Sequence, residues 1–231
     1  MEYEPIRIKE AVASICPDIQ ERVHKAPCCA DERELWWELS ACLLSSQVPW
    51  QLAAAAADAL DRSQLLVERP TQSALERHLY QILSSPLELP GGWRSYRFPT
   101  MRAEQLARTH RRICAEAGSL SALIDGFTVA ADARQWLVNQ APGIGPKQAS
   151  MFLRNIGKSY DLAILDRHVL EYMVLTGLRT LRDSAVNSLA RYGSVERVLR
   201  GHAADTRCSV GIMDWAIWIV MRVAKRDGAT T

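Results

Sequence analysis

The segment Ala141-Pro142-Gly143-Ile144-Gly145-Pro146-Lys147-Gln148-Ala149-Ser150 constrains the fold of this chain more than any other. Two glycines around one apolar residue, bracketed by prolines, describe a tight reversal between two helices. The glycines can take positive φ and let another backbone approach with no Cβ in the way. Pro146 suits the first turn of a helix, where its missing N–H costs nothing. The exposed N–H groups of that helix start form a site for an anion such as phosphate. A plain helix–helix turn would need the same residues. Lys147 narrows the choice. The macrodipole at a helix N-terminus favours negative charge, so a lysine there either meets a phosphate or is drawn towards its neutral, nucleophilic form. A solvated surface lysine is the ordinary alternative. Nineteen positions further on, Leu165-Asp166-Arg167-His168 puts an acid where another helix begins. Asp is a strong N-cap, and a capping carboxylate is held rigidly enough to accept a proton from an amine or to stabilise a cation.

The rest of the chain reads as helices. Apolar residues recur at helical spacing over Glu32–Leu44, in an alanine-rich run over Trp50–Leu60, over Thr71–Leu83, and from Ala103 (with Thr100 as cap) to Gly118. Further helices are expected at Leu120–Asp125, Ala130–Asn139, 147–157, Asp166–Gly177, Ser184–Tyr192, Ser194–Leu199 and Ile212–Ala224, with a lead over 1–24 broken near Pro17. Residues 84–99 carry three prolines and a Gly-Gly pair and read as a loop. No strand alternation and no repeat emerges, so the expected fold class is all-α.

With 231 residues, 48% of them apolar, a real core is affordable. The net charge of +2 excludes a strongly basic tail as the source of any affinity for polyanions, though not a locally basic groove. Cys16, Cys28, Cys29, Cys42, Cys114 and Cys208 form no CxxC pair and no dense cluster for zinc or iron–sulfur, so no metal and no cofactor is expected. The acidic start Met1-Glu2-Tyr3-Glu4 does not resemble a secretory signal, and no apolar run approaches the ~20 residues of a membrane span. A cytoplasmic protein with reduced thiols is expected. Trp36, Trp37, Trp50 and Trp136 read as core aromatics, and His110 as a satisfied core histidine. Arg97 and Arg102 suit either phosphate contact or a solvated face.

The hairpin with its lysine, followed about twenty residues later by an aspartate, resembles the helix–hairpin–helix–Gly/Pro–Asp superfamily of base-excision DNA glycosylases. The run from Gly143 to Gly157 and then Ala163 to His168 is similar to the short 8-oxoguanine glycosylase/lyases of archaea and some bacteria. Glu38-Leu39-Ser40-Ala41-Cys42-Leu43-Leu44-Ser45-Ser46-Gln47 and Tyr96-Arg97-Phe98-Pro99-Thr100-Met101-Arg102-Ala103 resemble two further stretches of that subfamily. The resemblance runs from about Glu34 to Tyr172. It implies two helical subdomains flanking a DNA-binding cleft, one over 35–157 and the other combining 1–34 with 158–231, with Asp166 facing Lys147. Such enzymes swing the damaged nucleotide out of the stack. Lys147 would attack the sugar C1′, and Asp166 would help deprotonate the amine and offset charge on the sugar. β-Elimination from the resulting Schiff base would then break the strand.

The resemblance also implies that Gly143, Gly145 and Lys147 meet the DNA backbone and that Gln47 fills the gap left by the flipped nucleotide, although Gln47 also suits a locally bonded loop residue. Trp215, Trp218 and Lys225 become candidates for base recognition, with core packing the alternative for either tryptophan. This chain departs from the subfamily by continuing past Lys225 into Arg226-Asp227-Gly228-Ala229-Thr230-Thr231, where the relatives carry a lysine at or near the end. The expected partner is double-stranded DNA with a damaged base, bound by a monomer that is nucleoid-associated and not in a membrane. Two other functions fit the same residues: the same chemistry on another damaged or modified base, and a non-catalytic helix–hairpin–helix module that only binds DNA.

Overall fold

The computed structural model describes residues 4–25, 31–68, 71–180, 186 and 188–228. It divides into two compact units, Met1–Cys28 with Gly157–Thr231, and Cys29–Ile156. Among the described residues the fold is all-α apart from a two-stranded hairpin. No helix there is long and apolar enough to cross a membrane.

The chain opens on α1 (Pro5–Lys25), which belongs to the same unit as the C-terminal helices. Contrary to expectation, α1 is continuous through Pro17. Its buried stripe Ile8, Val12, Cys16 and Ile19 explains why. Burying several apolar side chains at about 1.5–3 kcal/mol each outweighs the ~3 kcal/mol that an interior proline costs.

The unit Cys29–Ile156 follows. α2 (Glu32–Leu44) starts in a capping box: the Asp31 carboxylate accepts from the Glu34 N–H at 2.8 Å, and the Glu34 carboxylate accepts from the Asp31 N–H at 3.1 Å. α3 (Trp50–Arg62) packs on α2 through the fully buried Ala53, Ala56 and Ala57, whose size allows close approach. Trp36 is buried against the His110 ring, as expected of both, but Trp50 is exposed at the solvent-facing start of α3. The short α4 (Leu65–Glu68) and α5 (Gln72–Ser84) lead into the stretch read as loop. That stretch contains β1 (Leu87–Leu89) paired antiparallel with β2 (Gly92–Arg94). Three-residue strands are too short to show alternation in sequence. α6 (Pro99–Ala117) has Pro99 in its first turn, with Phe98 rather than Thr100 at the cap, and ends at left-handed Gly118. α7 (Leu120–Asp125), α8 (Ala130–Gln140) and α9 (Pro146–Asn155) complete the unit.

The C-terminal part returns to α1. α10 (Arg167–Leu175) is capped by Asp166, and α12 (Val210–Gly228) lies along α1. Between them α11 (Leu189–Asp205) is a single helix where two were expected; residues 184, 185 and 187 of the first lie outside those described. Gly193-Ser194 suggested a break, but a glycine inside a helix costs only about 1 kcal/mol. The stripe Tyr192, Glu196, Leu199 and Ala203 is buried on one face and carries the helix through. The core of this unit joins that stripe to Val169, Tyr172 and Met173 and to Ile212, Met213 and Ile217.

Glu32 is the first side chain of α2 and also serves the start of α7, beside its N-cap Ser119. Its carboxylate accepts from the Trp36 indole N–H at 2.8 Å and from the N–H groups of Leu120 and Ser121 at 2.9 and 2.8 Å. Burial pushes its carboxyl up, but these hydrogen bonds outweigh burial and hold it below the ordinary value. A depressed carboxyl stabilises the fold above its unfolded value of 4.5, and that stabilisation is lost as pH falls through the folded value. Glu32→Ala is expected to cost about 2 kcal/mol, a fall of roughly 4–8 °C in thermal midpoint at neutral pH. Glu32→Gln should flatten the decline of the midpoint below pH 4.5, measured by calorimetry across pH.

Candidate functional site

The reversal between α8 and α9 is built from backbone. The Ala141 N–H donates to Leu137 O at 2.9 Å and the Ile144 N–H to Ala141 O at 3.1 Å, while the buried Ile144 side chain pins the turn. The two glycines differ. Gly143 has φ +86°, and a Cβ there would lie 2.4 Å from Gln105 Oε1. Gly145 has φ −93° and ψ 176°, an extended conformation open to any residue. Gly145 is the N-cap of α9, Pro146 stands in the first turn, and no side chain caps the helix. Half-buried Lys147 follows immediately. Gly143→Ala should destabilise the protein by about 1–2 kcal/mol or more, because φ is strained and the added Cβ would displace the Gln105 side chain. Gly145→Ala should cost less, a contrast readable by urea denaturation.

Near Lys147, α9 packs on α2 with a polar cluster between them, centred on half-buried Glu38, that no residue pattern singled out. Glu38 Oε1 accepts from Asn155 Nδ2 at 2.7 Å and from the Cys42 thiol at 3.4 Å. Burial pushes the Glu38 carboxyl up, with Asn155, Cys42 and the Arg154 charge opposing. Burial likewise pushes the Cys42 thiol well up, reinforced by the Glu38 charge and opposed by those of Arg154 and Lys147. Glu38, Cys42, Asn155 and Arg154 thus interact across the α2–α9 contact, and the Lys147 charge is felt at Cys42. A carboxyl raised by folding stabilises the protein below its unfolded value of 4.5 and loses that advantage as pH rises through the folded value. Glu38→Gln should therefore raise the thermal midpoint at pH 8, the gain vanishing by about pH 4.

Asp166 sits in the other unit, at the end of a buried, irregular run. Each N–H of that run finds a side-chain partner: Ala163 donates to Glu196 Oε1 at 2.7 Å, Ile164 to the Asp214 carboxylate, and Leu165 to the Tyr192 hydroxyl at 2.9 Å. The Tyr192 hydroxyl in turn donates to Ala163 O at 2.7 Å. Gly211 lets the chain pass close by, its N–H donating to Tyr160 O at 2.8 Å where a Cβ would clash. Asp166 then caps α10, accepting from the His168 and Val169 N–H groups at 2.8 and 2.9 Å. Both bonds fall on Oδ1, which leaves Oδ2 outside the cap on a half-buried residue. Glu196, Asp214 and Tyr192 were legible only as buried polar residues on apolar helices.

The remaining candidates are dispersed. Gln47 is exposed at the end of α2 with φ +61°, a strained conformation for a residue other than glycine. Trp215 and Trp218 are not core residues. They stand three positions apart on the exposed face of α12, with the Arg222 guanidinium 4.4 Å over the Trp218 ring, while Ala216 and Ile217 face the core. Lys225 lies on α12 and its side chain is outside those described. Arg97 is exposed over the Phe98 ring, whereas Arg102 is buried and reaches no solvated face. His168 is buried in the first turn of α10, and His110 bonds Leu66 O at 3.0 Å. Among the described residues no group of three or more His, Cys, Asp and Glu could hold a metal ion.

Two helices joined by this glycine turn, the second open at its N-terminus, define a helix–hairpin–helix protein. The chain belongs to the 8-oxoguanine DNA glycosylase family, whose model matches residues 19–208. It is 30% identical over 192 residues to the 8-oxoguanine DNA glycosylase/AP lyase of Saccharolobus solfataricus, covering 80% of this chain and 81% of that protein. It is 35% identical over 127 residues to the protein of the same name from Saccharolobus islandicus, covering 53% of this chain and 58% of that relative's length. Its structure is similar to that of the 8-oxoguanine DNA glycosylase of Thermotoga maritima, with a TM-score of 0.66, 28% identity and 93% of each chain covered.

Proposed function

We propose that this protein is a bifunctional DNA glycosylase/AP lyase that removes 8-oxoguanine from duplex DNA. The observation that carries the reading is Lys147 in the first turn of the hairpin helix, in a chain of a family described as 8-oxoguanine DNA glycosylases. Relatives with 8-oxoguanine DNA glycosylase/AP lyase as their name support both halves of the activity. Open N–H groups at the start of α9 suit a phosphate. They would anchor the backbone at Gly143 and Gly145 and bring the strand to Lys147.

The neutral Lys147 amine attacks C1′, the bond from C1′ to the base breaks, and the base leaves with a proton. The nitrogen-substituted sugar opens to a Schiff base, and loss of a C2′ proton expels the 3′ phosphate. Asp166 takes the proton of the attacking amine through Oδ2 and offsets charge on the sugar, while Oδ1 stays with the helix cap. Gln47, exposed on a strained turn, enters the space of the flipped nucleotide, and the exposed Trp215 and Trp218 offer stacking faces for the base. The working form is a single chain, and neither metal nor cofactor takes part.

Borohydride trapping on duplexes with one defined lesion each tests the reading. A covalent adduct with 8-oxoguanine DNA, lost in Lys147→Gln, is the expected result. Adducts only with another lesion would change the substrate, and salt-sensitive duplex binding without any adduct would leave a binding module. Asp166→Asn keeps a good helix cap, so folding should survive while single-turnover excision falls by about 10²–10⁴.

A further inference from the structure

Arg102 has no place in that mechanism, yet it is a cation buried to 4% exposure in the first turn of α6. Burying a charge is costly unless its donors are used, and here one arm is spent on a turn and the other on a neighbour in α6, while Nε bonds nothing. Nη2 donates to Ser46 O at 3.2 Å, the residue before the strained Gln47. Nη1 donates to Gln105 Oε1 at 2.7 Å, and both atoms line the space where Gly143 lacks a Cβ: Gln105 Oε1 2.4 Å and Nη1 3.1 Å from it. Tyr96 works beside it. Its buried hydroxyl donates to Leu44 O at 2.8 Å, and burial pushes it up to about 12 against the opposing pull of Arg102. The carbonyls left over at the end of α2 are thus met in order: Cys42 O by the Ser45 hydroxyl, Leu44 O by Tyr96 and Ser46 O by Arg102. A left-handed Gln47 costs roughly 1 kcal/mol or more and persists only where its surroundings hold it.

We propose that Arg102 is a positioning residue: its guanidinium, bonded to Ser46 O on one arm and to Gln105 on the other, holds the Gln47 turn while the Arg102–Gln105 pair stands against Gly143, setting the two turns in one fixed register. The proposal rests on the reading of these turns as the parts that enter and grip the duplex. A phosphate contact needs only a positive charge on the surface. This arrangement needs the planar fork, because a single ammonium cannot reach Ser46 O and Gln105 Oε1 with the same spread.

Amide hydrogen exchange on the full chain without DNA reads the register directly. The reporters are the Val48 N–H, bonded to Ser45 O, and the Ile144 N–H, bonded to Ala141 O; the Leu170 N–H, bonded to Asp166 O, is the reference. In both Arg102→Met and Arg102→Lys, Val48 and Ile144 should exchange about tenfold faster or more with Leu170 unchanged, a tenfold step matching about 1.4 kcal/mol of local opening. If Met proves too disruptive to fold, Lys alone decides. Acceleration of one turn only, equal acceleration of all three amides, or full protection of both turns by Lys would each overturn the proposal. With 8-oxoguanine duplex, the variants should keep duplex affinity within about threefold and lose single-turnover excision to the extent of Gln47→Ala. The double variant with Gln47→Ala should be no slower than either alone. Normal excision in the variants would refute the positioning role and leave the glycosylase reading intact. The expected exchange pattern in a protein that excises nothing would leave the Arg102 clasp standing and remove the glycosylase reading.

Discussion

Every backbone polar group that leaves water must find a partner, and in a protein made of helices the shortage falls at the helix ends. This molecule meets the shortage with buried side chains from distant elements. Glu32 of α2 supplies acceptors to the first N–H groups of α7. Tyr96 supplies a donor to the last carbonyl of α2 and Arg102 one to Ser46 O in the turn that follows. Glu196, Asp214 and Tyr192 serve the irregular run 163–165 that delivers Asp166. Removing any one of these leaves a buried group unsatisfied, which costs more than the bond itself contributes. The same bonds therefore set both the stability of the fold and the placement of its candidate site residues.

That economy explains how the two site groups are presented. Lys147 stands on a helix whose N-terminus no side chain caps, and that helix meets α2 through the bonded Glu38, Cys42 and Asn155. Asp166 stands where one oxygen is committed to the cap and the other is not. An acid that also caps keeps its orientation without a dedicated partner, so structural and chemical roles need not compete.

Much of this was readable from residue order. The hairpin, the α9 start at Pro146, the Asp166 cap and the helix Glu32–Leu44 rest on local rules of turn chemistry, capping and apolar spacing that act over a few residues. Local rules failed where packing overrode them. α1 runs through Pro17 and α11 through Gly193, because an apolar stripe buried against a partner helix outweighs one poor helix former. Trp215 and Trp218 resembled core aromatics, yet Ala216 and Ile217 fill the core instead, and spacing alone does not say which edge of an apolar helix turns inward. β1 and β2 are too short to carry a periodic signal.

The sequence by itself determined the all-α fold, the glycine turn, its lysine and the capping acid, since each depends on interactions spanning a turn or two of chain. Only the tertiary structure decided what surrounds them. It made Gly143 and not Gly145 the conformationally obligatory glycine, bonded Glu38 of α2 to Asn155 of α9, and turned Arg102 from a surface cation into a buried clasp. Arg102 and Ser46 are 56 residues apart, and Ala163 and Glu196 are 33 apart. No periodicity or local propensity encodes such pairs, because they arise only when elements distant in sequence are packed against one another.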